Sequence, residues 1–83
     1  MAFDVGSVRI GVARSDASGM LAVPLPALSA GAADAVNDVL AEWEPIEVYV
    51  GLPRLLSGAE GSSAQAARDW AMELAERTAV PVR

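Results

Sequence analysis

Cysteine, histidine and lysine are all missing from this 83-residue chain, and aromatic residues make up only 5% of it. Without Cys there is no disulfide framework, no thiolate nucleophile and no thiolate metal site; without His, imidazole triads and imidazole zinc sites go too. Any metal must be held by oxygen ligands, which favours a hard cation such as magnesium or manganese. All six basic residues are Arg, the type suited to bidentate phosphate contact, although in so Ala-rich a chain this follows as readily from composition. No apolar run approaches the roughly 20 residues that span a bilayer. Asp4 and Arg9 interrupt the only candidate signal peptide, so no membrane association and a cytoplasmic location are expected.

Hydrophobic residues account for 53% of the chain. With few aromatics, Ala, Val and Leu must supply most of the buried surface, and each Ala removes little area from water. The length suits one small domain or a piece of one, with a thin core. The formal net charge of −5 argues, taken alone, against a nucleic-acid partner, whose phosphates call for basic residues. The acid is not spread evenly, however. Asp34, Asp38, Glu42, Glu44 and Glu47 lie in and just after one helical segment, and Asp69, Glu73 and Glu76 in another, whereas the first 30 residues set Asp4 and Asp16 against Arg9 and Arg14. The acidic residues read as solvated helix faces.

Ala2 to Asp4 begin a strand that reaches Gly6, and Val8, Ile10 and Val12 then alternate with Arg9, Gly11 and Ala13 at period two, predicting a second strand. Asp16-Ala17-Ser18-Gly19 reads as a turn. Met20 to Val23 predict a third strand, with Pro24 and Pro26 expected to stop regular pairing. Ala32, Val36, Val39, Leu40 and Trp43 fall on one helical face opposite Asp34, Asp38 and Glu42, and Pro45 marks the helix end. Ile46 to Val50 form a β-branched run suited to a buried strand that stops at Gly51-Leu52-Pro53. Ser62 and Gln65, spaced as a capping box, open a second helix with an apolar stripe through Ala67, Trp70, Ala71, Leu74 and Ala75. Val80-Pro81-Val82 predicts a further strand. Three antiparallel strands, then parallel strands reached through crossover helices, make an α/β fold with a mixed sheet. Trp43 and Trp70 lie on the apolar stripes and are expected in the core.

The run MAFDVGSVRIGVARSD, the step Pro24-Leu25-Pro26, the run IEVYVGLP and Gly58-Ala59-Glu60-Gly61 ahead of a helix occur in that order and together resemble the YqgF/RuvX family of RNase H-like proteins. The resemblance implies that residues 1–83 are the N-terminal part of a single RNase H-like domain, short before Asp4 and truncated before the last helix. The family's Asp-Glu-Arg motif and final acidic residue have no counterpart here. Where the family usually has a basic residue after Thr or Ser, this chain has Val8 after Ser7, which moves a possible phosphate contact to Arg9. The family is described as Holliday junction resolvase-like and is implicated in maturing the 5′ end of pre-16S rRNA, so the implied partner is RNA or branched DNA.

Phosphodiester hydrolysis by such a fold uses carboxylates converging on two divalent cations about 3.5–4 Å apart. Asp4, near the end of the first strand and before a Gly that lets the backbone turn, is placed as the first of these, a catalytic and metal-binding carboxylate. If buried without a basic neighbour it would be costly, which favours a functional reason; the alternative is an Asp capping its own turn. Glu60, just before the second helix, is a further candidate oxygen ligand or an acid favouring the helix dipole. Arg9 and Arg54 are candidate nucleic-acid contacts, Arg54 because it follows a parallel strand at the end where open α/β sheets bind ligands. Asp16 matches the family's motif, but its neighbours favour a turn role. One carboxylate cannot build a two-ion site, so the chain alone is expected to be inactive. Two other classes fit the opening signal: a phosphate-binding hairpin of actin-like ATPases and sugar kinases, and a non-catalytic nucleic-acid or protein-binding module. Uncovered sheet surface also raises the expectation of a homodimer.

Overall fold

The structure, a computed structural model, describes residues 1–16, 18, 21–52 and 61–83. β1 (Ala2–Val5), β2 (Arg9–Ser15) and β3 (Ala22–Ser29) form an antiparallel meander, and β4 (Tyr49–Val50) pairs in parallel with β1. The sheet order is β3-β2-β1-β4, so β1 lies inside the sheet between β2 and β4. α1 (Ala33–Trp43) connects β3 to β4, and α2 (Ser62–Arg77) follows β4. Beyond α2, Val82 bridges Val48 in parallel, with the Arg83 N–H on the Val48 carbonyl at 2.8 Å and the Val48 N–H on that of Pro81 at 2.8 Å. The α/β class and the mixed sheet are those that the alternation of periods two and 3.6 led one to expect.

Period-two alternation divides the sheet into two unlike faces. Phe3, Ile10, Val12 and Val48 point to one face, where they meet Val36 of α1 and Leu74 of α2 in one core cluster, all of them 6% exposed or less. Leu25, Leu28, Val39, Leu40, Val50 and Trp70 close its margins. The Phe3 and Trp70 rings lie 5.3 Å apart between centroids, tilted by 56°. Ala64 and Ala67 let α2 approach closely, because both are fully buried.

Four local expectations give way to tertiary context. β3 runs through Pro24 and Pro26 instead of stopping before them, because it is an edge strand of the described sheet, where a residue lacking an N–H can turn its nitrogen outward. A bulge where Ile10 pairs with Leu28 but Val12 with Leu25 absorbs one extra residue around Pro26 and Ala27. The expected strand from Ile46 shortens, since Ile46, just after Pro45, is 90% exposed and unpaired. The capping box does not form: Gly61 is the N-cap of α2, without a side-chain cap, and Gln65 Nε2 donates to Asp69 Oδ1 at 2.9 Å instead. Trp43 is 40% exposed rather than in the core, with the Arg14 guanidinium stacked 4.6 Å from its ring centroid.

α1 ends as expected at Pro45, but through Glu44, whose φ of 45° is left-handed and whose N–H reaches the Leu40 carbonyl at 2.9 Å. A residue with a Cβ is strained there and Gly is not. Glu44→Gly is therefore expected to stabilise the chain by about 0.5–1 kcal/mol, read as a higher midpoint in thermal or denaturant unfolding. A lower midpoint would count against the left-handed cap.

Candidate active site

Asp4 is the third residue of β1, and alternation sends its side chain to the sheet face opposite Phe3. That face is uncovered among the described residues. Asp4 is exposed, not buried, so the cost of desolvation that favoured a functional role for it does not apply. Nor does it cap a turn: among the described residues its carboxylate accepts no hydrogen bond and forms no ion pair. Gly11 stands directly across from it, where a Cβ would lie 3.5 Å from the Asp4 Cβ. On the other side the Gly51 N–H binds the Phe3 carbonyl at 3.0 Å. Asp4 therefore stands between two glycines on an inner strand, in a shallow concavity of about 460 Å³ lined also by Ala2, Ala13 and Tyr49.

The turn that follows is tight. The Gly6 N–H donates to the Arg9 carbonyl at 3.0 Å, and a Cβ on Gly6 would sit 2.8 Å from that same oxygen, so only Gly fits. The turn brings Arg9 back on β2 two residues before Gly11, which puts Arg9 on the same face as Asp4 as its diagonal neighbour, a placement in which Cβ atoms generally lie somewhat under about 7–8 Å apart. Both side chains are exposed. The two candidate residues that the structure describes are thus brought together; Arg54 and Glu60 lie outside the described residues. Asp16 has the expected turn role: its Oδ1 accepts from the Ser18 hydroxyl at 2.8 Å and from the Leu21 N–H at 3.4 Å.

Sequence reasoning missed Gly11, Gly51 and Tyr49 as neighbours of Asp4. The signal for Tyr49 was its alternation with Val48 and Val50; the signal for the glycines was only that each sits in a strand run or directly after one. The Tyr49 hydroxyl donates to Glu47 Oε1 at 2.7 Å, and Arg83 Nε donates to Glu47 Oε2 at 3.3 Å. The hydrogen bond from Tyr49, then that from Arg83, holds the Glu47 carboxyl below its ordinary value, and the hydrogen bond to Glu47 raises the Tyr49 hydroxyl above its own. Stability linked to Glu47 is present above its unfolded value and lost as pH falls through the folded one. That linked to Tyr49 is present below its unfolded value and lost as pH rises through the folded one. Tyr49 is the only tyrosine. Alkaline titration of phenolate absorbance is expected to show it above the ordinary value of about 10, and Glu47→Gln to bring it back. Equal curves for the two proteins would mean that the hydrogen bond does not form in solution.

Among the described residues no three carboxylates come together as a metal site. Asp4 by itself does not fit a pair of divalent cations, which need several converging oxygen ligands. No helix among the described residues is long and apolar enough to cross a membrane.

The geometry defines an α/β protein with a mixed sheet that presents a lone carboxylate, flanked by glycines, on the open face of an inner strand. The chain belongs to the RuvX family, described as Holliday junction resolvase, whose pattern matches residues 1–83. It is 50% identical over its whole length to a protein of Thermobifida fusca, of which it covers 54%. A protein of Frankia casuarinae is 52% identical over 96% of this chain and 43% of its own length, and one of Streptomyces coelicolor 47% identical over all of this chain and 53% of its own. Each of these relatives bears the name "Putative pre-16S rRNA nuclease". The chain thus spans about half the length of the curated relatives it matches. A match along the whole chain favours this family over the actin-like and sugar-kinase reading, which rested on the opening hairpin alone.

Proposed function

We propose that residues 1–83 are the N-terminal part of a single RNase H-like domain from a divalent-metal-dependent nuclease of the YqgF/RuvX type. It acts in the cytoplasm on the 5′ end of pre-16S rRNA or on Holliday junction DNA. The observation that carries this reading is Asp4, an unpaired carboxylate on the open face of an inner strand between Gly11 and Gly51. In this reading Asp4 supplies one oxygen ligand for magnesium or manganese, Glu60 contributes another, and Arg9 and Arg54 hold phosphate. Support comes from the family match and from Arg9 lying on the face of Asp4. A single carboxylate does not assemble the site, so the 83-residue chain alone is inactive.

The test completes the chain with the part of the Thermobifida fusca relative that it does not span, and assays both proteins with manganese. The substrates are a four-way DNA junction and a pre-16S RNA carrying its 5′ leader. Cleavage by the completed protein alone is the expected result, and the substrate cleaved decides between RNA and junction. Silence of the completed, folded protein on both would leave a non-catalytic binding module as the better reading.

A further inference from the structure

β3 has one side bonded to β2 and one side that meets no strand among the described residues. Two backbone hydrogen bonds fix which of its residues turn to which side. The Asp16 N–H donates to the Leu21 carbonyl at 2.9 Å, so Leu21 faces β2. By the two-residue period of an antiparallel ladder Val23 and Leu25, opposite Arg14 and Val12, face it too. At the other end the Ala30 N–H donates to the Val8 carbonyl at 3.1 Å, which turns Leu28, opposite Ile10, inward in the same way. The backbone groups of Ala22, Pro24, Pro26 and Ser29 therefore point away from the sheet.

An edge strand offers its outward N–H and C=O groups to any extended chain that comes alongside. At Pro24 and Pro26 the nitrogen carries a ring carbon in place of hydrogen, so an incoming strand finds no donor there and its own carbonyl is left facing a methylene group. The bulge before Leu28 also breaks the straight row that a partner would follow. The missing hydrogens are a covalent property of the two positions and hold whatever else the complete protein places around the sheet. We propose that Pro24 and Pro26 bar the outer edge of β3 to a further strand, above all to β3 of a second copy, and that the sheet is extended only beyond β4. An antiparallel pair of β3 strands about a two-fold axis is the pairing most open to this edge, because each copy brings the same eight residues. The other side of the sheet carries no such block: Val82 already bridges Val48, and the Val50 N–H donates to the Arg83 carbonyl at 3.0 Å. The inference needs only the phase of the ladder between β2 and β3 and not the nuclease reading, and its readout is association rather than cleavage.

Pro24→Val together with Pro26→Val restores both donors with a side chain suited to strands. In sedimentation velocity from about 10 μM to 1 mM this double variant is expected to self-associate at least about tenfold more tightly than the unchanged chain. The same double variant made by chemical synthesis with N-methylvaline at both places keeps the side chains but lacks the two N–H groups, and is expected to fall back to the behaviour of the unchanged chain. In the unchanged chain the Ala22 amide, which points outward, is expected to exchange its hydrogen fast at every protein concentration. Circular dichroism checks that each variant is folded. A double variant that associates no more than the unchanged chain overturns the proposal, and so does equal association of the N-methylated form. Protection of the Ala22 amide that grows with concentration in the unchanged chain overturns it without any variant.

Discussion

Replacing Phe3 with Ala is expected to remove most of the stability of this chain. Phe3 is 1% exposed at the middle of the core, on an inner strand, with its ring against Trp70 at 5.3 Å. Large-to-small changes of Phe in a core cost about 3–5 kcal/mol, and a tilted aromatic pair is worth about 0.5–1.5 kcal/mol beyond its area. An 83-residue chain at the usual density of stability has about 4–12 kcal/mol in all. The large residues of this core are few, so neighbouring Val and Ala side chains cannot collapse into the space of a ring. Guanidinium unfolding is expected to show the Ala variant destabilised by about 3–5 kcal/mol, with its midpoint shifted far toward zero denaturant, and Phe3→Leu destabilised by only about 1 kcal/mol. A loss under about 1 kcal/mol for the Ala variant would show that β1 does not carry the core.

The second large effect is on activity. Asp4→Asn keeps shape and removes charge, and at an exposed position without a hydrogen bond it is expected to change stability by less than about 0.5 kcal/mol. In the protein completed with the missing part of its Thermobifida fusca relative, the same change is expected to lower the cleavage rate by at least about 100-fold. Even groups that only orient a metal ligand are worth 10–100-fold, and a ligand is worth more. Unchanged unfolding together with lost cleavage separates a site carboxylate from a structural one. Activity retained within about threefold would remove Asp4 from the chemistry and leave the family match without a residue on this chain to carry it.

Much of the architecture was legible because it follows from periodicity. Ile10 and Val12 alternate, and Val36, Val39 and Leu40 recur at helical spacing, so these inward faces were readable from the sequence, whereas Val8, expected on the same strand, lies before β2 and is 73% exposed. The helix end at Pro45 was readable from the covalent geometry of proline. Less legible was whatever depends on a neighbour far away in sequence. Pro24 and Pro26 argue against a strand until β3 is known to lie at an edge, where a missing N–H costs no hydrogen bond. Trp43 belongs to the apolar stripe of α1 by spacing, yet it lies beyond the reach of the core and beneath Arg14, a partner 29 positions earlier. Ser62 and Gln65 have the spacing of a capping box, but Gly61 starts the helix and Asp69 draws the Gln65 amide away.

By itself the sequence determined the order of elements, which faces are apolar, the absence of thiolate and imidazole chemistry, and the family to which the chain belongs. These are properties of residue identity and local period, which the chain carries before it folds. Only the tertiary structure decided that Asp4 is exposed rather than buried, that Gly11 and Gly51 flank it, and that Arg9 shares its face while Glu47, Tyr49 and Arg83 form a separate network. Each of these depends on the register between strands. A shift of one residue would turn every side chain of a strand to the other face, and only the packing of Phe3, Ile10, Val12 and Val48 beneath α1 and α2 selects the register that leaves Asp4 in the open.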